Sequence, residues 1–191
     1  TAHLWVKKIP REETFNAHER KELLEEIYRK QGDTEKLSEL LYQKFRSEHT
    51  TETLQALLEV VGHDRQGEII ESEVAKILKA EKLRLLDAVF LVSIGKIDEA
   101  EKYLLTHADQ LDGDYYGSLL SLAQTMESKR RYLVASLIYR SMLTSILSRG
   151  FTKAYSHGIR YLMKLDKLDK SITDWKKFID HKAFKEKIIQ V

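Results

Sequence analysis

The residues best able to do chemistry in this 191-residue chain gather in its C-terminal third: Lys129, Arg130 and Arg131, then Arg149, Lys153, Tyr155, His157, Arg160 and Tyr161. On a helix, residues three and four apart are neighbours, so Lys153, His157 and Arg160 or Tyr161 share a face. Cations interleaved with aromatic rings hold phosphates and stack bases. The competing reading is a helix whose tyrosines pack and whose histidine is half-buried with a satisfied hydrogen bond. Charge follows the same division. Residues 1–128 carry 17 Lys and Arg against 25 Asp and Glu, a balance of −8, and residues 129–191 carry 15 against 5, a balance of +10. Such asymmetry points to an acidic partner for the basic third, or to attraction between the two parts of the chain.

Other chemistries find little support. The seven histidines, His3, His18, His49, His63, His107, His157 and His181, include no pair at the i, i+3 or i+4 spacing that aims two rings at one metal ion. With no cysteine there are no disulfides, thiolate metal sites or cysteine nucleophiles, which suits a reducing compartment. Glu12–Glu13, Glu25–Glu26 and Glu99 with Glu101 fall at ordinary exposed helical positions. No catalytic residue, metal or cofactor is expected. The longest apolar run, Ala88 to Val92, is far short of a membrane span, and no secretory leader opens the chain, so a cytoplasmic location is expected. Because residue 1 is Thr, the chain reads as a portion of a longer protein.

The elements that would position these residues are helices. Leu23, Leu24, Ile27 and Tyr28 mark one face between Glu12 and Gln31; Gly32 ends that helix, and Asp33 or Thr34 caps the next, with stripe Leu37, Leu40, Leu41 and Phe45. Ser47 to Thr50 reads as a turn. Leu54, Leu57, Leu58 and Val61 form a third stripe ending at Gly62, and Ile69, Ile70, Val74, Ile77 and Leu78 a fourth. A fifth helix, Leu83 to Ile94, is apolar almost all round. Gly95 then opens a turn with Asp98 and Glu99 in the first turn of the next helix and Ala100 at a close crossing. Later helices run through Leu119 to Met126, Tyr132 to Ser148, and Tyr155, Ile159, Leu162 and Leu165, with one or two short helices holding Trp175, Phe178, Ile179, Phe184 and Ile188. Arg140 is the only charge between Tyr132 and Ser148.

Helices Leu83–Ile94 and Tyr132–Ser148 have apolar residues on several faces, which places them in the interior with Leu86, Phe90, Leu137, Ile138 and Leu143 among the most buried residues. Ser136, Ser141, Thr144 and Ser145 suit a tight helix crossing. Trp5 and Trp175 read as caps on exposed core. Gly32, Gly62 and Gly95 lie 30 and 33 residues apart, near the period of two-helix repeats.

The runs Leu133 to Leu143, Ser148-Arg149-Gly150 and Lys153 to Leu162, ending near Trp175, resemble the C-terminal region of an uncharacterised bacterial family of tetratricopeptide-like helical proteins, some of which carry a SWIM-type zinc finger elsewhere. The resemblance implies an α-solenoid and no particular activity. The zinc finger needs Cys ligands that this chain lacks.

The expected fold is therefore all-α, an α-α superhelix of tetratricopeptide-like antiparallel hairpins forming a single helical-repeat domain over residues 1–191. The expected function is non-enzymatic: a module mediating protein–protein interaction or scaffolding, with a protein or peptide partner and no membrane. The alternative is a nucleic-acid-associated module using the basic C-terminal third.

Overall fold

The computed structural model describes residues 17–150 and 152–189, with side chains from residue 19 onward in the first helix. Helix is the only regular structure among the described residues. In chain order the helices are α1 (Ala17–Gln31), α2 (Thr34–Glu48), α3 (Thr51–Val61), α4 (Gln66–Ile77), α5 (Leu85–Ser93), α6 (Ile97–Thr106), α7 (Tyr116–Ser128), α8 (Tyr132–Ser148), α9 (Tyr155–Asp169) and α10 (His181–Ile189). Glu12, Glu13 and Trp5 lie outside the described residues. Backbone contacts divide the chain into two compact units, residues 1–75 and residues 76–191.

In the first unit, Leu37, Leu41 and Phe45 of α2 and Leu54, Leu57 and Leu58 of α3 are buried, as their helical spacing requires. Asp33 caps α2, its side chain accepting from the Lys36 N–H at 3.2 Å. Thr50 caps α3 through a reciprocal bond with Thr53. The turn expected over Ser47 to Thr50 is tighter than its polarity suggests, because α2 continues to Glu48 and only His49 reverses the chain, with φ +45°. His49 holds this left-handed conformation while buried, its ring edge-on to Phe45 and its Nε2 3.4 Å from the buried Glu73 carboxylate.

The second unit is built around α8. This helix packs on α7, α9 and α6, and it buries Leu133, Val134, Ala135, Ile138, Tyr139, Met142, Leu143 and Ile146. A helix with three neighbours needs apolar residues on three sides, which is what the sequence supplies. At the α8–α9 crossing, a Cβ on Gly158 would stand 3.3 Å from Leu143 Cδ1, so the small residue sets the closeness of approach. Where the two tyrosine rings meet across the same interface their centroids are 5.7 Å apart, Tyr139 against Tyr161. Burial and the neighbouring Glu127 carboxylate push the Tyr139 hydroxyl up to about 12. Glu127 itself is held by Lys164 at 2.7 Å, which ties α7 to α9.

Helix α5 departs from expectation. It is shorter than Leu83–Ile94 and packs chiefly on α6 and α7, so Phe90 is buried while Leu86 is 51% exposed and Val89 faces solvent beside it. Asp87, which reads in sequence as a polar interruption, is one of the buried residues: its carboxylate lies 3.4 Å from the Tyr103 hydroxyl oxygen and 3.5 Å from Arg84. The stretch 78–84 is not helical, and α6 and the turn after it anchor it. The Tyr103 hydroxyl donates to the Lys82 carbonyl and accepts from the Arg84 N–H, His107 Nε2 lies 2.9 Å from the Ala80 carbonyl, and Gln110 bonds to Glu81 and Leu83. In α8, Leu137 is only half-buried, while Ile138 and Leu143 are in the core. The residues Trp175, Phe178 and Ile179 lie in a non-helical stretch, and the last helix begins at His181.

Candidate binding grooves of the C-terminal unit

Two cavities flank the second half of α8. The smaller, of about 440 Å³, is lined by Arg149, Lys153, His157 and Tyr161 together with Asp114, Tyr116 and the apolar Met142 and Ile146. Four of the residues that sequence singles out therefore meet at one cavity. Arg149 caps the end of α8, Lys153 sits in the 3-10 turn Thr152–Ala154, and His157 and Tyr161 follow one helical turn apart on α9. Tyr161 contributes a buried ring, whereas Lys153 and His157 are exposed. Tyr155 and Arg160 are exposed and do not line this cavity. Tyr155, Ile159 and Met163 instead form an exposed row, because the buried face of α9 is Gly158, Tyr161, Leu165 and Leu168. The stripe expected from Tyr155 and Ile159 was displaced by the tight seat of Gly158 on α8.

The remaining basic residues are elsewhere. Lys129 caps the end of α7, Arg130 turns the chain with φ +59°, and Arg131 precedes α8. They are separated from Arg149 by the length of α8, roughly 25 Å at 1.5 Å per residue. Arg131 is paired with Asp98 and lies 3.4 Å from Glu101. Arg149 lies 3.3 Å from Asp114. The basic excess of the C-terminal third is thus partly neutralised by carboxylates from residues 76–128, and Lys129 to Arg131 stand apart from Arg149 and Lys153.

The larger cavity, of about 630 Å³, shares Gly113, Asp114 and Arg149 with the smaller one. Its floor is one stripe of α8, in which Leu137, Arg140, Ser141, Thr144, Ser145 and Ser148 succeed each other at helical spacing. Leu111 and Asp112 form one wall, and Phe178, Ile179 and Phe184 another. The serines and threonine that suit a helix crossing line this groove, apart from Ser136, which is buried within α8's core face. The division between the cavities depends on one residue. A Cβ on Gly113 would lie 2.2 Å from the Ser141 carbonyl oxygen and 2.8 Å from Met142 Cα, so only glycine lets the 112–114 turn rest on the backbone of α8. The turn is fastened there by Asp114, which accepts from the Ser145 hydroxyl and pairs with Arg149.

Arg140, which sequence reading did not select, is the most unusual side chain of the groove. It is 5% exposed, its Nη1 donates to the Ile179 carbonyl at 2.7 Å, and its guanidinium lies 4.2 Å from the Trp175 ring centroid and 4.6 Å from that of Phe184. Burial pulls its pKa down to about 10, against the opposing influence of the Asp169 and Asp180 carboxylates. The signal was present in the sequence as the lone charge of an otherwise uncharged 17-residue helix.

Among the described residues no helix is long and apolar enough to cross a membrane. Comparison with characterised proteins and with solved structures gave no match. A family model described as a family of unknown function (DUF6880) matches residues 2–191, and the chain belongs to that family.

Proposed function

We propose that this chain is a non-catalytic helical-repeat module of the cytoplasm, an α-α superhelix of tetratricopeptide-like hairpins that binds an extended segment of a protein partner along the second half of α8. The contact pattern of the second unit supports the repeat reading: each helix from α5 to α9 packs on its successor or on the next but one, as stacked hairpins do. The observation that carries the binding reading is the pair of adjoining cavities sharing Gly113, Asp114 and Arg149. On either side of the 112–114 turn they line the second half of α8 with apolar, hydroxyl and charged groups. An extended peptide alternates its side chains, and its main chain needs hydrogen-bonding partners.

Nucleic acid is less well matched. A strand of phosphates needs cations along one continuous track, whereas Lys129 to Arg131 are remote from Lys153, and Arg131 and Arg149 already face carboxylates. Selection of displayed random dodecapeptides on the chain tests the reading. Enriched sequences that bind when re-synthesised, and that lose binding to Thr144→Tyr, support it, since Thr144 is exposed on the groove floor and a tyrosine there fills the groove. Failure to enrich any sequence, or binding that Thr144→Tyr leaves intact, overturns it.

A further inference from the structure

The guanidinium of Arg140 is charged, 95% removed from solvent and incompletely satisfied. Nη1 has the Ile179 carbonyl, but Nε and Nη2 are buried without a hydrogen-bond partner. A buried ion with unmet donors is costly, and most proteins avoid it by placing a carboxylate against the free edge. Asp169 and Asp180 are near enough to act electrostatically, yet neither is hydrogen-bonded to Arg140.

The pattern of what is free has a specific shape. Nε and Nη2 carry the two parallel N–H bonds on the long edge of the guanidinium plane, the edge that receives both oxygens of a planar carboxylate. Trp175 and Phe184 close around the charge through their ring faces, and Nη1 is occupied. This fork is the edge on which neither nitrogen has a partner. The rings also exclude water, so an ion pair formed here is stronger than one at the surface. Both nitrogens are buried, and the non-helical stretch 170–180 carries Trp175 and Ile179 and borders the groove through Phe178 and Ile179, so a ligand reaching the fork requires this stretch to move. Asp109, Asp112 and Asp114 on the opposite side repel a dianion more than a single carboxylate, and they suit a segment that also carries a positive or hydrogen-bond-donating group.

We propose that Arg140 is the receptor for a carboxylate of the peptide segment that occupies the larger groove, an inference that rests on the peptide-binding reading above. The carboxylate comes from an Asp or Glu side chain or from a chain terminus, and the two sources are separable by experiment. Three pools of random N-acetylated hexapeptides serve as probes: one amidated and free of Asp and Glu, one with free C-termini and free of Asp and Glu, and one amidated but containing Asp and Glu. The readouts are the Arg140 Nε–H resonance and the emission of Trp175 in a Trp5→Phe background. The expected result is a response of both to one or both acidic pools and none to the neutral pool, with binding at least about tenfold weaker in Arg140→Met and in Arg140→Lys, which keeps the charge but loses the fork. Circular dichroism of each variant verifies the fold. Equal movement of groove amides by all three pools with Arg140 silent overturns the carboxylate inference and leaves the groove reading standing. Silence of every groove resonance toward all three pools overturns both.

Discussion

The Arg140 guanidinium stacks 4.2 Å from the centroid of Trp175, joining the middle of α8 to the non-helical stretch that follows α9. Because the charge is buried and two of its nitrogens are unpartnered, it contributes less to stability than its many contacts suggest. Arg140→Met keeps the apolar stem and removes the desolvated charge. Its unfolding free energy is expected to stay within about 1 kcal/mol of wild type or to rise. Arg140→Ala also removes the packing between the rings and is expected to cost about 1–3 kcal/mol. Urea denaturation of the two variants checks this, and a large loss in Arg140→Met would assign the residue a purely structural role.

Neighbouring residues of α8 separate core from groove. Ile138 is fully buried, whereas Leu137 borders the larger cavity and is half-buried. Ile138→Ala is expected to cost about 2–5 kcal/mol and Leu137→Ala less than about 2 kcal/mol, because the second leaves no enclosed void. Equal losses in chemical denaturation would mean that the groove is closed over Leu137 in solution.

Gly113 controls the partition between the cavities. A methyl group in Gly113→Ala meets the backbone of Ser141 and Met142, which cannot move aside without distorting α8. The 112–114 turn is expected to lift, at a cost of about 1–3 kcal/mol, with faster amide exchange from Asp112 to Tyr116. Unchanged exchange would contradict the close seat of this turn.

The docking of α10 carries a pH signature. His181 Nε2 lies 2.8 Å from Asp166 Oδ1, and Lys185 Nζ lies 3.2 Å from the same oxygen. The His181 hydrogen bond first, then Lys185, holds the Asp166 carboxyl below the ordinary 3.8, outweighing the burial that raises it. A carboxylate with a lowered folded pKa contributes its full stability above the unfolded value and loses it as pH falls through the folded value. The α9–α10 contact is therefore expected to weaken below about pH 4, and Asp166→Asn to remove that acid dependence. Amide exchange of α10 across an acid series measures it.

The helices were largely legible in sequence, because their boundaries rest on local chemistry: Asp33 and Thr50 caps, glycines after α1, α3 and α5, and apolar stripes at helical spacing. What periodicity could not supply was which side of an apolar helix is covered. Leu86 and Ile159 look like core residues on their own helices, yet both are exposed, since burial depends on the neighbours that α5 and α9 find. The candidate site was legible to the same degree. Arg149, Lys153, His157 and Tyr161 are brought together by the α8–α9 turn, which is close in sequence. The larger groove joins residues 108–114, α8 and 178–187, and only tertiary packing makes that combination.

The central claim, that the grooves along α8 take a peptide, is tested most directly by titrating the chain with a selected, re-synthesised dodecapeptide and, separately, with a random single-stranded oligonucleotide, both fluorescently labelled, at about 150 mM salt. The account predicts saturable, micromolar or tighter peptide binding that Thr144→Tyr abolishes, and no oligonucleotide complex. An oligonucleotide complex that weakens steeply with salt and is lost in the Arg130→Glu, Lys153→Glu, Arg160→Glu triple variant, with the peptide inert, would contradict it.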